Sequence, residues 1–518
     1  MNYKHHAAFI PPLFGHNRMK TGLIKPVLVG LSVMLSACGF AQQDQFGKSG
    51  IVSGFYGGVT ADEPHAVLAG ENILAQGGSA ADAIITMAFV LSVTKPSSVS
   101  LGAGGACVIH DPQIDVNEML LFLPSFQDVM KNNGKFLTPQ LPRAMAALSA
   151  RYGKKDWRSL VNPAETLARL GVKLPRAHAV DLALIAQSGF TGFNKAAKSM
   201  FASKDGAALK EGSLLRQPAL AATLANIRIN GAGALYQGSL AHRLLQDIAA
   251  ENGTMNQADL RESLPQFLPV LTHLNGRYEW LLTRPPMIGG IAQAQAFNLL
   301  KALPDYDDLA LEQRQDKARE AMALSLDHNL KWAENPPESF SAQSRLIFND
   351  PPEWGAVSPP EPPLYGASGM VAIDQTGLTI ACDFTLGAPY GGGKLMAQTG
   401  IFMMEAPTTA DEAIGLYALS PALVIHEDTR LFFYAQAGTS PLLGAGSWLN
   451  AEIWLNQSDK GAALLAEIPD SSLPQIGGKP AMVHCINGMP NPEIQDRLCV
   501  IDLHPSAHSI ARQQIISQ

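Results

Sequence analysis

The stretch "YGASGMVAID" (residues 365–374) leaves a proline-rich segment (Pro351, Pro352, Pro359, Pro360, Pro362, Pro363) and passes through small residues into a β-type run closed by "DQTG". Chemistry at the start of such a strand needs a nucleophile, and two neighbouring residues compete for that place, Ala367 and Ser368. A serine hydroxyl becomes a useful nucleophile when a base lies beside it. A methyl group cannot attack a carbonyl. Other candidate chemistry is thinner. "HPSAH" sets His504 and His508 four apart, but a proline lies between them and no third ligand follows. No Cys/His cluster has zinc-site spacing, so neither a metal nor another cofactor is expected. The glycine-rich loop at Gly102, Gly104 and Gly105 precedes a strand instead of opening a helix and lacks a phosphate-binding lysine, which argues against a phosphate cradle.

The elements that must position these residues follow from periodicity. Residues 61–93 carry small and apolar side chains at helical spacing, broken by Gly77-Gly78. That pattern predicts two buried helices meeting at a tight turn, with Ser79 capping the second. Helical patterning returns at 156–171, 217–230, 238–252 and 311–332, and strand patterning at 277–283, 369–374, 378–386, 421–426 and 430–435. Strands gathered near the front and in the final third, with helices between, suit helix–sheet–sheet–helix layers.

Hydrophobic residues make up 47% of the 518, and charged residues 16%, which predicts a well-packed globular protein. The formal charge of −7 comes without a basic run, so nucleic acid is not an expected partner. Near the start, residues 19–38 place Lys20 and Lys25 before a short apolar stretch that ends Leu35-Ser36-Ala37-Cys38. The stretch is too short to span a bilayer and has signal-peptide flanks. Its end resembles a bacterial lipobox. On that reading residues 1–37 are a signal segment whose true start is Met19, and Cys38 is lipidated. Gly39 in place of an aspartate then favours the periplasmic face of the outer membrane. An ordinary secretory signal with an incidental cysteine is the alternative, leaving the protein in the periplasm. Either route exposes Cys107, Cys382, Cys485 and Cys499 to an oxidising space. Cys485 and Cys499 are near enough in sequence to pair, though the sequence does not decide it.

Several longer stretches carry a resemblance. "PHAVLAGENILAQGGSAADAIITMAFVLSVTKPSSVSLGAGGACVIHDP", "RYGKKDWRSLVNPAETLARLGVKLPR", "QPALAATLANIRINGAGALYQGSLAHRLL" with "NGTMNQADL", "RPPMIGG" and "GMVAIDQTGLTIACDFTLGAPYGGG" run in order from about residue 50 to 445. Together they resemble the γ-glutamyltranspeptidase (glutathione hydrolase) family of N-terminal-nucleophile hydrolases. The resemblance implies an α+β fold, a four-layer αββα sandwich. In active members it also implies self-cleavage into a large and a small chain, matching residues 38–366 and 367–518 here, and a γ-glutamyl intermediate on a threonine at the new N-terminus. The threonine's own α-amine, freed by the cut, then serves as the base.

Anchored on Asp374, Gly377, Thr385, Leu386, Tyr390, Gly391 and Gly400, the family's nucleophile position is Ala367, and Thr385 is the retained supporting threonine. The asparagine after Thr-Leu corresponds to Gly387, and the acid that holds the substrate's α-amino group to Thr409. The serine pair corresponds to Tyr417 and Ala418, ahead of Ser420-Pro421, and the Gly-Gly oxyanion pair to Gly438-Thr439, whose backbone N–H groups could still donate. The substrate-holding arginine has no counterpart in "EMLLFLPSFQD".

Three functions follow. The first is a family protein of the cell envelope that has lost γ-glutamyl chemistry. The second is an amidase or acylase that cleaves itself before Ser368, which requires a bulge among Gly366, Ala367 and Gly369 to turn that side chain. The third is a binding or scaffold lipoprotein, in which Leu120, Leu121, Phe122, Leu123 and Phe126 either line a pocket for an apolar ligand or simply fill the core. The partners implied are a small-molecule amide or peptide ligand and a membrane reached through a lipid anchor.

Overall fold

A turn and two caps set the first helices. Gly77 has a φ of +78°, a conformation that costs glycine little, and the chain re-enters a helix two residues later. There Ser79 and Asp82 form a reciprocal capping box, each side chain accepting the other's backbone N–H, at 3.2 and 2.9 Å. The carboxylate of Glu63 caps the preceding helix by accepting from the N–H groups of His65 and Ala66.

The structure is a computed structural model that describes residues 57–124, 129, 135–203, 206–334, 352–355, 367–408, 415–438, 481–490, 499–503, 509 and 511–514. The signal segment 1–37, Cys38, Phe126, Gly366, Thr409, Thr439, His504 and His508 lie outside the described residues.

In chain order, β1 (Gly57–Ala61), α1 (Pro64–Ala75), α2 (Ala80–Thr94), β2 (Gly104–Asp111) and β3 (Val116–Phe122) come first. Next are α3 (Leu141–Tyr152), α4 (Trp157–Leu170), β4 (Val172–Lys173), α5 (Arg176–Gln187), α6 (Lys195–Met200), β5 (Leu214–Leu215), α7 (Pro218–Asn230), α8 (Gly238–Ala250) and α9 (Asp259–Glu262). A second group holds β6 (Gln266–Pro269), β7 (Leu271–Asn275), β8 (Tyr278–Leu282), α10 (Gly289–Lys301) and α11 (Leu311–Glu334). The last holds the strands β9 (Ala367–Asp374), β10 (Thr379–Thr385), β11 (Ala422–His426), β12 (Phe432–Ala437), β13 (Ala481–Met489), β14 (Cys499–Leu503) and β15 (Ala511–Gln514).

The strands form a seven-stranded sheet in the order β15-β1-β9-β10-β2-β3-β6 and a six-stranded sheet in the order β14-β13-β12-β11-β8-β7. Both sheets mix strands from before and after residue 366, so the two regions named from the sequence are interleaved in space. Side-chain alternation sorts the layers. Met370, Ala372, Ile380, Cys382 and Phe384 pack against the helical layer of α1 to α4, α7 and α8. Val371, Ile373 and Ala381 meet Leu423, Ile425, Ala435 and Val483 of the other sheet. The far face of that sheet, with Trp280, Val424 and Tyr434, packs on α10 and α11. The result is the expected αββα sandwich. Its axis on the first side is α2, all fifteen residues of which are buried. Burial of each of Ile84, Ile85, Phe89 and Leu91 there contributes about 1.5–3 kcal/mol.

Two disulfides tie neighbouring strands. Cys485–Cys499 joins β13 to β14, and Cys107–Cys382, a pair 275 residues apart that spacing did not suggest, joins β2 to β10. Strand β9 begins two residues before its apolar run, because Ala367 and Ser368 are already paired with β10.

Candidate active site

Strand β9 carries different chemistry on its two faces. Its pairing with β10 runs unbroken, with Ala367 opposite Thr385, Ser368 opposite Phe384 and Gly369 opposite Asp383. Alternation therefore turns Ala367 and Gly369 toward the second sheet, alongside Val371, and Ser368 toward the helices, alongside Met370. No bulge intervenes between Ala367 and Gly369 to turn Ser368 over.

On the helical face Ser368 meets a buried ionic network. Its hydroxyl donates to Asp62 at 2.5 Å. The other oxygen of Asp62 lies 2.8 Å from the Lys95 ammonium, which also stands 3.4 Å from Asp181. Ser97 donates to Asp181 at 2.6 Å. Burial alone would favour a neutral lysine, but the Asp181 and Asp62 carboxylates outweigh it and hold the Lys95 pKa above its ordinary value. Burial raises the pKa of Asp181, with Lys95 opposing. The Ser368 hydroxyl is thus one ligand of a locked charge cluster. Sequence reading passed over this cluster, although a lysine closing the wholly buried α2 and an aspartate closing β1 are conspicuous charges in apolar surroundings.

On the inter-sheet face, the methyl of Ala367 stands opposite Thr385. The Thr385 hydroxyl accepts the Gly387 N–H at 2.9 Å. Two residue pairs along the hairpin, on the same face, lies a group that the sequence did not single out, Asp383. It is fully buried, and its two oxygens accept the N–H of Gly438 at 2.9 Å and of Ser420 at 3.2 Å. Burial pushes its carboxyl pKa well above the usual range, and the two N–H groups pull only partly against that. The approach is close because residue 369 is glycine: a Cβ there would lie 2.6 Å from the Gly438 nitrogen. The N–H of Gly438, expected to be free for an oxyanion, is therefore engaged by a side chain of the same chain. The one signal for Asp383 was a single acid inside the apolar run "TIACDFT".

Two of the positions expected to hold a substrate, Tyr417 and Ala418, are packed. Tyr417 is buried, shares an apolar cluster with Leu121, Leu123, Met404, Leu416 and Leu419, and donates its hydroxyl to the Pro124 carbonyl at 2.6 Å. It thus runs from the serine-pair position to the segment that lacks the arginine. Ala418 is buried beside it. The "RPPMIGG" segment and α10 clasp these residues from behind: the Ile288 N–H donates to the Tyr417 carbonyl at 2.8 Å, and Gln293 donates to the Ser420 carbonyl at 3.2 Å. Leu120 and Phe122 fill the helical core, and Leu121 and Leu123 the inter-sheet core. Among the described residues, no group of three His, Cys, Asp or Glu side chains is placed to hold a metal ion, and no helix is long and apolar enough to cross a membrane.

Known proteins share this layout. A cephalosporin acylase from Bacillus halodurans superposes with a TM-score of 0.67 at 16% identity, covering 92% of this chain and 99% of that one. The γ-glutamyltranspeptidase of Helicobacter pylori superposes with a TM-score of 0.50 at 23% identity, covering 60% of this chain and 95% of that one. At these identities the likeness is one of fold. Glutathione hydrolase 2 of Arabidopsis thaliana is 26% identical over 392 residues, covering 67% of this chain and 65% of that protein, so the chain matches just under two thirds of that relative's length. The gamma-glutamyltranspeptidase family model matches residues 66–409, from the first helix to beyond the β9–β10 hairpin, and on that extent this chain belongs to the gamma-glutamyltranspeptidase family.

Proposed function

We propose that the mature protein is an uncleaved member of the family without γ-glutamyl hydrolase or transferase activity, anchored in the cell envelope through Cys38 and serving there in binding or scaffolding. The observation that carries this reading is the methyl of Ala367, turned into the inter-sheet layer opposite Thr385. Self-cleavage needs a hydroxyl or thiol directly after the scissile bond, and turnover needs that same group beside a free amine. The packed state of Tyr417 and Ala418 supports the reading, because a zwitterionic substrate has no room and no charged partner there. The amidase alternative loses support because the Ser368 hydroxyl is bonded to Asp62 in the helical layer. Two disulfides favour export into an oxidising space.

The test is intact-mass measurement and N-terminal sequencing of the purified mature protein, with a chromogenic γ-glutamyl amide as substrate. One chain and no chromophore release are expected. Two chains, the smaller beginning at Ser368, would overturn the reading in favour of an acylase, and clear release by the wild type would refute it outright. Wild type should partition into detergent, and Cys38→Ser should release it as soluble material.

A further inference from the structure

Charge is unevenly spread along this chain. Residues 169–216 carry eight lysines and arginines against three acids, although the whole has a formal charge of −7. One of those acids, Asp181, is buried beside Lys95. Four of the cations gather at the two-stranded sheet of β4 and β5, which is separate from the two large sheets. Its register pairs Val172 with Leu215 and Lys173 with Leu214. Val172 and Leu215 are buried in an apolar cluster with Leu174, so Lys173 and Leu214 share the outer face. Arg216, two residues on from Leu214, lies there too: a Cβ at Gly171 would come within 2.9 Å of Leu214 and 2.8 Å of Arg216. The turn from Lys210 to Ser213 is held against the same ladder, the Leu174 N–H donating to the Ser213 carbonyl at 2.7 Å and the Gly212 N–H to the Leu174 carbonyl at 2.9 Å. That sets Lys210 and Arg176, the first residue of α5, beside the outer face. Lys173, Arg176, Lys210 and Arg216 are all exposed and enter no ion pair among the described residues. One exposed acid, Glu211, lies in the turn. Leu170 and Leu214 are 58% and 53% exposed among these charges.

We propose that this face docks on an anionic phospholipid membrane, the cations meeting headgroup phosphates and the two leucines entering the boundary beneath them. The proposal rests on the envelope location proposed above, though the contact itself does not use a lipid at Cys38. Lysine and arginine stems lie along apolar surface while their charged ends reach outward, and surfaces at a membrane boundary bind through apolar area and charge together. A dissolved polyanion would engage the cations and gain nothing from the leucines, which favours the bilayer. Each Lys or Arg close to an anionic leaflet strengthens binding by roughly fivefold, and the attraction falls away within a Debye length. Such a contact orients an anchored chain and is too salt-sensitive to hold an unanchored one.

The bland account is a solvated face on which single exposed leucines are ordinary. Co-sedimentation of the full Cys38→Ser chain with vesicles separates the two. Vesicles of phosphatidylcholine alone are compared with vesicles of equal parts phosphatidylcholine and phosphatidylglycerol, in low salt and in about 0.15 M salt. The expected result is binding to the anionic vesicles only, weakened by salt, and lowered roughly 25-fold by Lys173→Gln with Arg216→Gln. Leu214→Ser should lower it at both salt levels alike. These side chains point outward from the ladder, so the variants keep the fold, which circular dichroism checks. The same charge removed at the other end of α4, by Lys154→Gln with Arg158→Gln, should leave binding nearly unchanged, since both cations are exposed away from this face. No binding to anionic vesicles would overturn the proposal, as would equal binding to neutral vesicles or an equal loss in the Lys154 and Arg158 variant. Full binding by Leu214→Ser would assign the face to a dissolved polyanion and overturn the bilayer. Detergent partition of the wild type tests the anchor separately: its failure would refute the lipid at Cys38 and not this contact.

Discussion

Consecutive residues of β9, Ala367 and Ser368, face environments built on opposite rules. Behind Ser368 the chain buries an ammonium and two carboxylates, and every charge has partners: Lys95 with Asp62 and Asp181, Asp62 with Ser368, Asp181 with Ser97. In front of Ala367 the positions that correspond to the family's threonine and serine pair carry a methyl, a tyrosine and an alanine, and the buried carboxyl of Asp383 is bonded to backbone N–H groups alone in the described contacts. The helical network is interlocked, and each member is hard to lose because the others would be left uncompensated. The inter-sheet groups are answered one by one, by packing or by a single acceptor, so the site can change piecemeal while the sandwich persists.

Breaking the interlocked side should have the largest effect. Lys95→Met leaves Asp62 and Asp181 facing each other in the core, and the variant should lose about 3–5 kcal/mol of stability in urea unfolding. A loss below 1 kcal/mol would show that the network is not a unit.

The two faces should also respond to pH with opposite signs. On the helical side, His178 donates to or accepts from Tyr390 at 2.8 Å, and burial, then Lys95, lowers its pKa from 6.5 to about 3. The unfolded chain therefore takes up that proton first, so the contribution of His178 is complete above pH 6.5 and is lost as pH falls toward 3. On the inter-sheet side the folded pKa of Asp383 is raised above 3.8. Its contribution is complete below that pH and is lost as pH rises toward the folded value. Urea midpoints measured across this range should show His178→Gln removing an acid-side decline and Asp383→Ser removing a decline on the way up. Each slope is at most about 1.4 kcal/mol per pH unit. Equal slopes in wild type and Asp383→Ser would show that this carboxyl ionises normally in the folded protein.

Ser368→Ala sharpens the contrast at smaller cost. It removes a hydrogen bond to a charged group, worth about 1.5–3 kcal/mol, and should leave the mass of the chain unchanged apart from the substitution. Full stability in this variant would mean that Asp62 does not depend on the hydroxyl.

The smallest expected effect is none. Ala367→Thr should release no chromophore from a γ-glutamyl amide, because turnover also needs the substrate oriented, a contribution of roughly 7–11 kcal/mol in favourable cases. Gly387, Tyr417 and Ala418 offer no charge to do it. Release by this variant alone would reveal substrate contacts at other positions.

Much of the architecture was legible in the sequence. The Gly77-Gly78 break, the Ser79 cap, the helix over 156–171 and the strand pair at 369–386 all appear where the patterning sets them, to within a residue or two. These are local properties: a capping box spans four residues, and helix and strand periods repeat within one element. That residue 367 carries only a methyl was legible as well, since it is a fact of composition at one position. The partners were not. Ser368 and Asp62 are separated by 306 residues, Tyr417 and Pro124 by 293, and Cys107 and Cys382 by 275. Asp383 and Gly438 are 55 apart, in different sheets. Which face of β9 holds Ser368 depends on the register of β9 against β10, and a slip of one residue would exchange the two environments. Composition and period settle what each segment can become. Only the long-range pairing of strands and the stacking of two sheets decide that one hydroxyl closes a buried charge network while the residue before it turns a methyl toward the second sheet.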